Sequence, residues 1–143
     1  MAIRTATAEW KGDLPNGTGT FSGSSGALDG GYSFQSRFGE SGGTNPEELV
    51  AAAHASCFSM ALSLILSEGG NVPDSVRTEA KVQILKEGEG FAITKIDLVT
   101  VGRVPGIDDA GFQRAATAAK ENCPISKALA SVREINLDAS LES

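Results

Sequence analysis

At 143 residues the chain is sized for one domain, and its 41% apolar and 21% charged side chains match soluble globular usage, which excludes wholesale disorder and fibrous repeats. Eighteen acidic against 12 basic residues leave a net charge of -6, a field that repels phosphate backbones and anionic bilayers, so no nucleic-acid or membrane partner is expected. Met1 to Trp10 is polar and alternating, with no basic stretch leading into an apolar core, and a cytoplasmic location is the expectation. Two cysteines are too few for a disulfide scaffold; in a reducing compartment such a pair points to catalysis, redox chemistry or metal binding.

In chain order, residues 3–10 alternate as a strand does, and 17–23 form a second short strand and turn around Phe21. Tyr32 to Phe38 repeats the pattern, with Arg37 at the end of that strand and Gly39 to Thr44 as a loop. Asn45, Pro46 and Glu48 stand as N-cap, first helical residue and capping-box acid. The helix they open carries no formal charge from Leu49 to Leu66, and its apolar residues fall all round the wheel, so it is expected to be buried on nearly every side. His54, Ser56, Ser59 and Ser63 interrupt it and no Lys or Arg flanks it, which favours a core helix over a membrane span. A chain of this size has few layers to cover such a helix, so a second copy is the expected cover.

Gly69-Gly70 ends the helix. A hairpin follows, with Val76, Thr78, Ala80, Val82 and Ile84 alternating, a turn at 87–90 and a return over 91–101. Asp108 or Asp109 caps an alanine-rich helix over 111–120, Pro124 opens a short helix to Ala130, and 134–141 reads as an edge strand. This order predicts an α+β fold with antiparallel strands wrapped about a central helix.

Cys57 lies midway along the long helix, where an isolated cysteine is usually a small packed hydrophobe. Cys123 precedes Pro124, at a helix start whose free amides and dipole favour thiolate. One Cys in an apolar pocket and another at a helix start is what a peroxide-reducing thiol and its resolving partner require: the first becomes a sulfenic acid, and the second condenses with it to a disulfide. Desolvation raises a thiol pKa, so a buried thiolate needs a cation; Arg37 is the candidate, with Glu47 or Glu48 as its carboxylate acceptor. Set against this are a surface arginine and ordinary first-turn helix acids.

The segments GYSFQSRFGESGGTNPEELVAAAHASCFSMALSLIL, FAITKIDL, VPGID and NCPISKAL resemble, in order and over nearly the whole chain, the OsmC branch of the OsmC and organic hydroperoxide resistance (Ohr) family. The resemblance implies a single OsmC-like domain over 1–143 and an intertwined homodimer, with antiparallel sheets around two long central helices. It implies thiol-dependent reduction of organic hydroperoxides and hydrogen peroxide, no metal or flavin, and a small dithiol or lipoyl-type reductant. By position, Cys57 resembles the peroxidatic cysteine, Cys123 the resolving one, Arg37 the residue that stabilises the thiolate and Glu47 the acid that orients it. No role transfers to Glu48.

Glu47 and Cys57 are ten residues apart, about 15 Å along one unbroken helix, a gap no single arginine spans comfortably. The Arg37–Glu47 pair serving one Cys57 is therefore expected to come largely from the other subunit. His54, one turn before Cys57, reads as a hydrogen-bonded core histidine rather than a catalytic base. No CxxC or HxxxH spacing suggests zinc, and the glycines at 17, 19 and 23 do not fit the dinucleotide fingerprint. The substrate's alkyl chain is expected against Phe58, Met60 or Leu62. The rival reading is a redox-sensing or small-molecule-binding dimer without turnover.

Overall fold

The computed structural model describes residues 2–40 and 42–142 and has the α+β architecture. The chain divides into two compact units, Met1–Leu49 and Val50–Ser143.

The first unit is a three-stranded antiparallel sheet of β1 (Ala6–Lys11), β2 (Thr18–Gly23) and β3 (Asp29–Tyr32), in that order. Its register puts Ala8, Trp10, Phe21 and Tyr32 on one face, with Gly19 and Gly30 between the rings. A Cβ at Gly19 would come within 2.5 Å of Tyr32 Cε1, which is why the rings can close over this position only if it is glycine. Trp10 and Tyr32 remain partly exposed, so the sheet carries an apolar face with little cover of its own.

The strand expected over 32–38 ends at Tyr32. Phe34–Phe38 is instead a short helix, α1, and Arg37 lies on it rather than at a strand end. Local hydrogen bonds decide this: the Ser33 hydroxyl accepts from the Ser36 N–H (3.1 Å), and the Ser36 hydroxyl accepts from the Ser33 N–H (2.8 Å), a reciprocal cap that outweighs the aromatic alternation.

Helix α2 runs from Pro46 to Glu68. Asn45 caps it as expected, its Oδ1 accepting from the Glu48 N–H (2.8 Å). The Glu48 carboxylate does not complete the box; it accepts from the Thr44 hydroxyl. At the far end Gly70 takes φ +91°, which turns the chain so that the Asn71 N–H reaches the Leu66 carbonyl (2.9 Å).

The second unit holds the core. Strands β4 (Ser75–Glu87) and β5 (Gly90–Arg103) form the hairpin about a two-residue turn, and β6 (Glu134–Leu141) joins β5 on its other edge. That last pairing is parallel, whereas the sequence predicts antiparallel strands. The chain crosses from β5 to β6 through α3 (Asp109–Asn122) and α4 (Pro124–Ala128), and a crossover of that kind delivers the next strand in the same direction.

The pairings Val76↔Gly102, Thr78↔Thr100, Ala80↔Leu98 and Val82↔Ile96, continued by Ile135, Leu137, Ala139 and Leu141, place one apolar row on one face of this sheet. Phe58, Leu62 and Leu66 of α2 and Phe112, Ala116 and Ala119 of α3 are buried in the same cluster. At Gly102 an added Cβ would meet Phe112 Cε1 at 2.6 Å, so the missing side chain sets how closely α3 approaches. Two of the serines that interrupt α2 find hydrogen-bond acceptors. Ser59 Oγ donates to Thr78 Oγ1 (2.8 Å), which shares a hydrogen bond with Thr100 Oγ1 (3.0 Å), and Ser56 Oγ donates to the Ala52 carbonyl (2.7 Å).

Helix α2 has the length and apolarity to cross a membrane, yet its buried residues recur at helical spacing, with His54, Phe58, Leu62 and Leu66 all facing protein. It is not buried on nearly every side within this chain: Met60 is 76% and Leu64 59% exposed.

Candidate active site

Asn122 ends α3 because the residue before a proline is pushed out of helical geometry. Cys123 accordingly takes φ −55°, ψ 124°, serving as C-cap of α3 and N-cap of α4 at once. Its N–H donates to the Ala119 carbonyl (2.9 Å) and its carbonyl accepts from the Lys127 N–H (3.1 Å), so its backbone is tied to both helices. Its side chain is fully buried among the core residues.

The turn aims that side chain at α2. The Cys123 and Cys57 sulfurs lie 2.8 Å apart, as free thiols within hydrogen-bonding reach. A covalent S–S bond is about 2.05 Å, so less than an ångström of approach separates this dithiol from a disulfide. Residues 66 apart in sequence are thus brought together by the packing of α4 on α2.

Cys57 is half-buried and opens on a groove of about 900 Å³. The walls are apolar: Ala53, Met60, Ala61, Leu64 and Ile65 from α2, facing Pro124 and Ile125 from α4. Of the residues expected to hold an alkyl chain, only Met60 faces the groove. Phe58 and Leu62 are wholly enclosed in the core, because residues one and five positions after Cys57 are rotated about 100° and 140° away from it round the helix.

Burial pushes the Cys57 thiol above its ordinary range, and the Cys123 sulfur adds to this, since two thiolates at such separation cannot both form. The Ile125 backbone N–H works the other way by donating to the Cys57 sulfur. The Cys-Pro start predicts free amides serving Cys123; that thiol makes no cap hydrogen bond, and the Ile125 amide serves Cys57 instead. The Cys-Pro dipeptide signalled the free amide, but its recipient depends on where α2 lies.

His54 is fully buried, as expected of a core histidine, and its Nε2 lies 2.7 Å from Ser126 Oγ on α4. Burial lowers its pKa, which keeps the imidazole neutral.

The Arg37–Glu47 pair forms in the first unit. Arg37 Nε donates to Glu47 Oε1 (3.1 Å) and Oε2 (3.2 Å), and Nη2 donates to Oε1 (2.7 Å). Sequence alone offers Glu47 or Glu48 as the carboxylate, and the geometry selects Glu47, whose side chain is only 8% exposed. The Arg37 guanidinium also lies over the Phe38 ring, 5.3 Å from its centroid. It is therefore held along one edge and one face, while the side chain stays 38% exposed. Among the described residues, no three of His, Cys, Asp or Glu gather as metal ligands.

The family model for OsmC-like proteins matches residues 39–138. The chain is 50% identical to the Escherichia coli K12 protein called peroxiredoxin OsmC, covering 95% of this chain and 94% of that one. It is 36% identical to the Bacillus subtilis organic hydroperoxide resistance protein OhrB over 70% of this chain and 69% of that one. The crystal structure of B. subtilis OhrB superposes with a TM-score of 0.68 at 28% identity, over 96% of this chain and 98% of that one. A putative organic hydroperoxide resistance protein from Vibrio cholerae, solved with captopril in one of its active sites, gives 0.74 at 26% identity over 99% and 93%. With the motifs, the fold and these relatives in agreement, the chain belongs to the OsmC/Ohr family of OsmC-like proteins.

Proposed function

We propose that this protein is a cysteine-based peroxidase that reduces organic hydroperoxides, and hydrogen peroxide less readily, in cytoplasmic stress defence. One observation carries the reading: two free thiols 2.8 Å apart, one open to an apolar groove and the other enclosed behind it. The Cys57 thiolate attacks the outer peroxide oxygen, the O–O bond breaks, and the departing alkoxide takes a proton to leave as an alcohol. Cys57 becomes a sulfenic acid. The Cys123 sulfur then displaces hydroxide from it, the Cys123 proton leaves with that hydroxide as water, and a Cys57–Cys123 disulfide forms. A small or lipoyl-type dithiol returns the pair to thiols and is itself oxidised. Apolar groove walls favour organic over hydrogen peroxide by about 0.8 kcal/mol per buried methylene.

The first step needs a thiolate, and burial together with the second sulfur opposes one. Arg37, held by Glu47, is the proposed cation, supplied to each Cys57 largely by the partner subunit of a homodimer. The exposed Met60 and Leu64 on α2, and the thinly covered aromatic face of the first sheet, support a second copy as the missing cover. Mixing Cys57→Ser chains with Arg37→Ala chains should restore activity through one intact site per heterodimer. A dead mixture with verified subunit exchange refutes that sharing.

The reaction itself is tested by mass spectrometry after one equivalent of cumene hydroperoxide. The wild type should show an intrachain Cys57–Cys123 disulfide and the Cys123→Ser variant a trapped sulfenic acid at Cys57. Continued peroxide consumption with a dithiol present separates a peroxidase from a sensor, which is oxidised once and stops.

A further inference from the structure

His54 is the chain's single histidine, and its hydrogen bond to Ser126 has no part in the peroxidase cycle described above. The ring is completely enclosed; Nε2 meets Ser126 Oγ at 2.7 Å, while Nδ1 is buried with no partner among the described residues. An apolar side chain of similar size would fill this space without stranding a polar nitrogen, so packing alone does not account for an imidazole here.

The pair's position supplies the reason. His54 stands one helical turn before Cys57 on α2, and Ser126 stands one turn after Cys123 on α4. The same two elements are thus joined twice within one turn, at the sulfurs and at the imidazole–hydroxyl bond. Helix α4 has only five residues, too few to be stable alone, so its place depends on what anchors it. It carries both groups that act on the Cys57 sulfur, the Cys123 thiol and the Ile125 N–H.

We propose that His54 and Ser126 are positioning residues whose hydrogen bond straps α4 to α2, keeping Cys123 within attacking distance of Cys57 and so setting how fast the oxidised Cys57 is resolved. This rests on the peroxidase reading. Two reactions compete for the Cys57 sulfenic acid. In one, the Cys123 thiol displaces water and closes the disulfide. In the other, a second hydroperoxide transfers an oxygen, giving a sulfinic acid and releasing an alcohol. The first is independent of peroxide concentration and the second is proportional to it. The peroxide concentration at which half of Cys57 ends as sulfinic acid therefore reports the resolution rate.

That threshold is measured by mass spectrometry on the full-length protein with cumene hydroperoxide. Ser126→Ala should lower it about fivefold to tenfold, roughly the worth of one neutral hydrogen bond, and Ser126→Thr, which keeps a hydroxyl, should stay near the wild type. The pair His54→Leu with Ser126→Ala removes both polar partners and should regain stability in urea while keeping the lowered threshold. A merely structural role restores the threshold along with the stability, and that result overturns the proposal, as does a wild-type threshold in Ser126→Ala. If the wild type forms no disulfide and Cys123→Ser traps no sulfenic acid, the peroxidase reading fails separately. Glutathione redox titration of the Cys57–Cys123 pair then decides the strap: a fall of similar size in effective thiol concentration in Ser126→Ala upholds it, and no change refutes it.

Discussion

The Arg37–Glu47 ion pair offers the sharpest test of how this site is built. Three N–H···O contacts join the two side chains, at 2.7, 3.1 and 3.2 Å. Hydrogen bonds to charged groups contribute about 1.5–3 kcal/mol when enclosed, and exposed pairs about 0–1. With Glu47 8% and Arg37 38% exposed, this pair falls between those limits, at about 1–2 kcal/mol of coupling. Urea unfolding of Arg37→Ala, Glu47→Ala and the double variant measures that coupling directly. The rates carry a second expectation. Because Glu47 acts through Arg37, Glu47→Ala should lower kcat/KM for cumene hydroperoxide about tenfold, equivalent to roughly 1.4 kcal/mol of barrier. Once Arg37 is gone, removing Glu47 should cost nothing more, so the double variant should match Arg37→Ala. Coupling below about 0.3 kcal/mol in unfolding, with rate effects that multiply, would show that the carboxylate does not hold the guanidinium for its task.

Other consequences concern packing, specificity and pH. Gly102→Ala should destabilise the protein by about 1–3 kcal/mol in urea unfolding, because the new methyl is driven into the enclosed Phe112 ring; an unchanged midpoint contradicts that close approach. Met60→Ser should raise KM for cumene hydroperoxide about tenfold while leaving hydrogen peroxide nearly unaffected, since it removes apolar groove wall and touches no sulfur; equal effects on both substrates count against the groove. The stability of the reduced protein should depend on pH on both sides of neutrality. On the alkaline side, in Arg37→Ala, where no cation offsets burial, the unfolded chain releases the Cys57 proton before the folded one does, so stability falls as pH rises past the ordinary thiol range, and adding Cys57→Ser flattens this limb. On the acid side the unfolded chain protonates His54 while the folded one resists, so stability present above pH 6.5 is lost as pH falls, and His54→Leu flattens that limb.

What the sequence determined by itself is whatever neighbouring residues decide. The Asn45-Pro46 start and Gly69-Gly70 stop of α2, the Asp108 cap of α3 and the alternation of β4 all follow from caps, turns and periodicity within a few residues. Helix α1 was equally local, but its Ser33/Ser36 cap is hidden beneath the aromatic alternation of Tyr32, Phe34 and Phe38. The parallel course of β6 was implicit in two helices lying between neighbouring strands. Only tertiary packing decided which sulfur opens to solvent, that Phe58 and Leu62 turn inward while Met60 faces the groove, and that the Ile125 amide reaches Cys57. It also joined His54 to Ser126, 72 residues away. These facts depend on how α4 lies across α2, and hydrogen bonds and sulfur contacts that short are created by the three-dimensional approach of segments whose separation along the chain carries no trace of it.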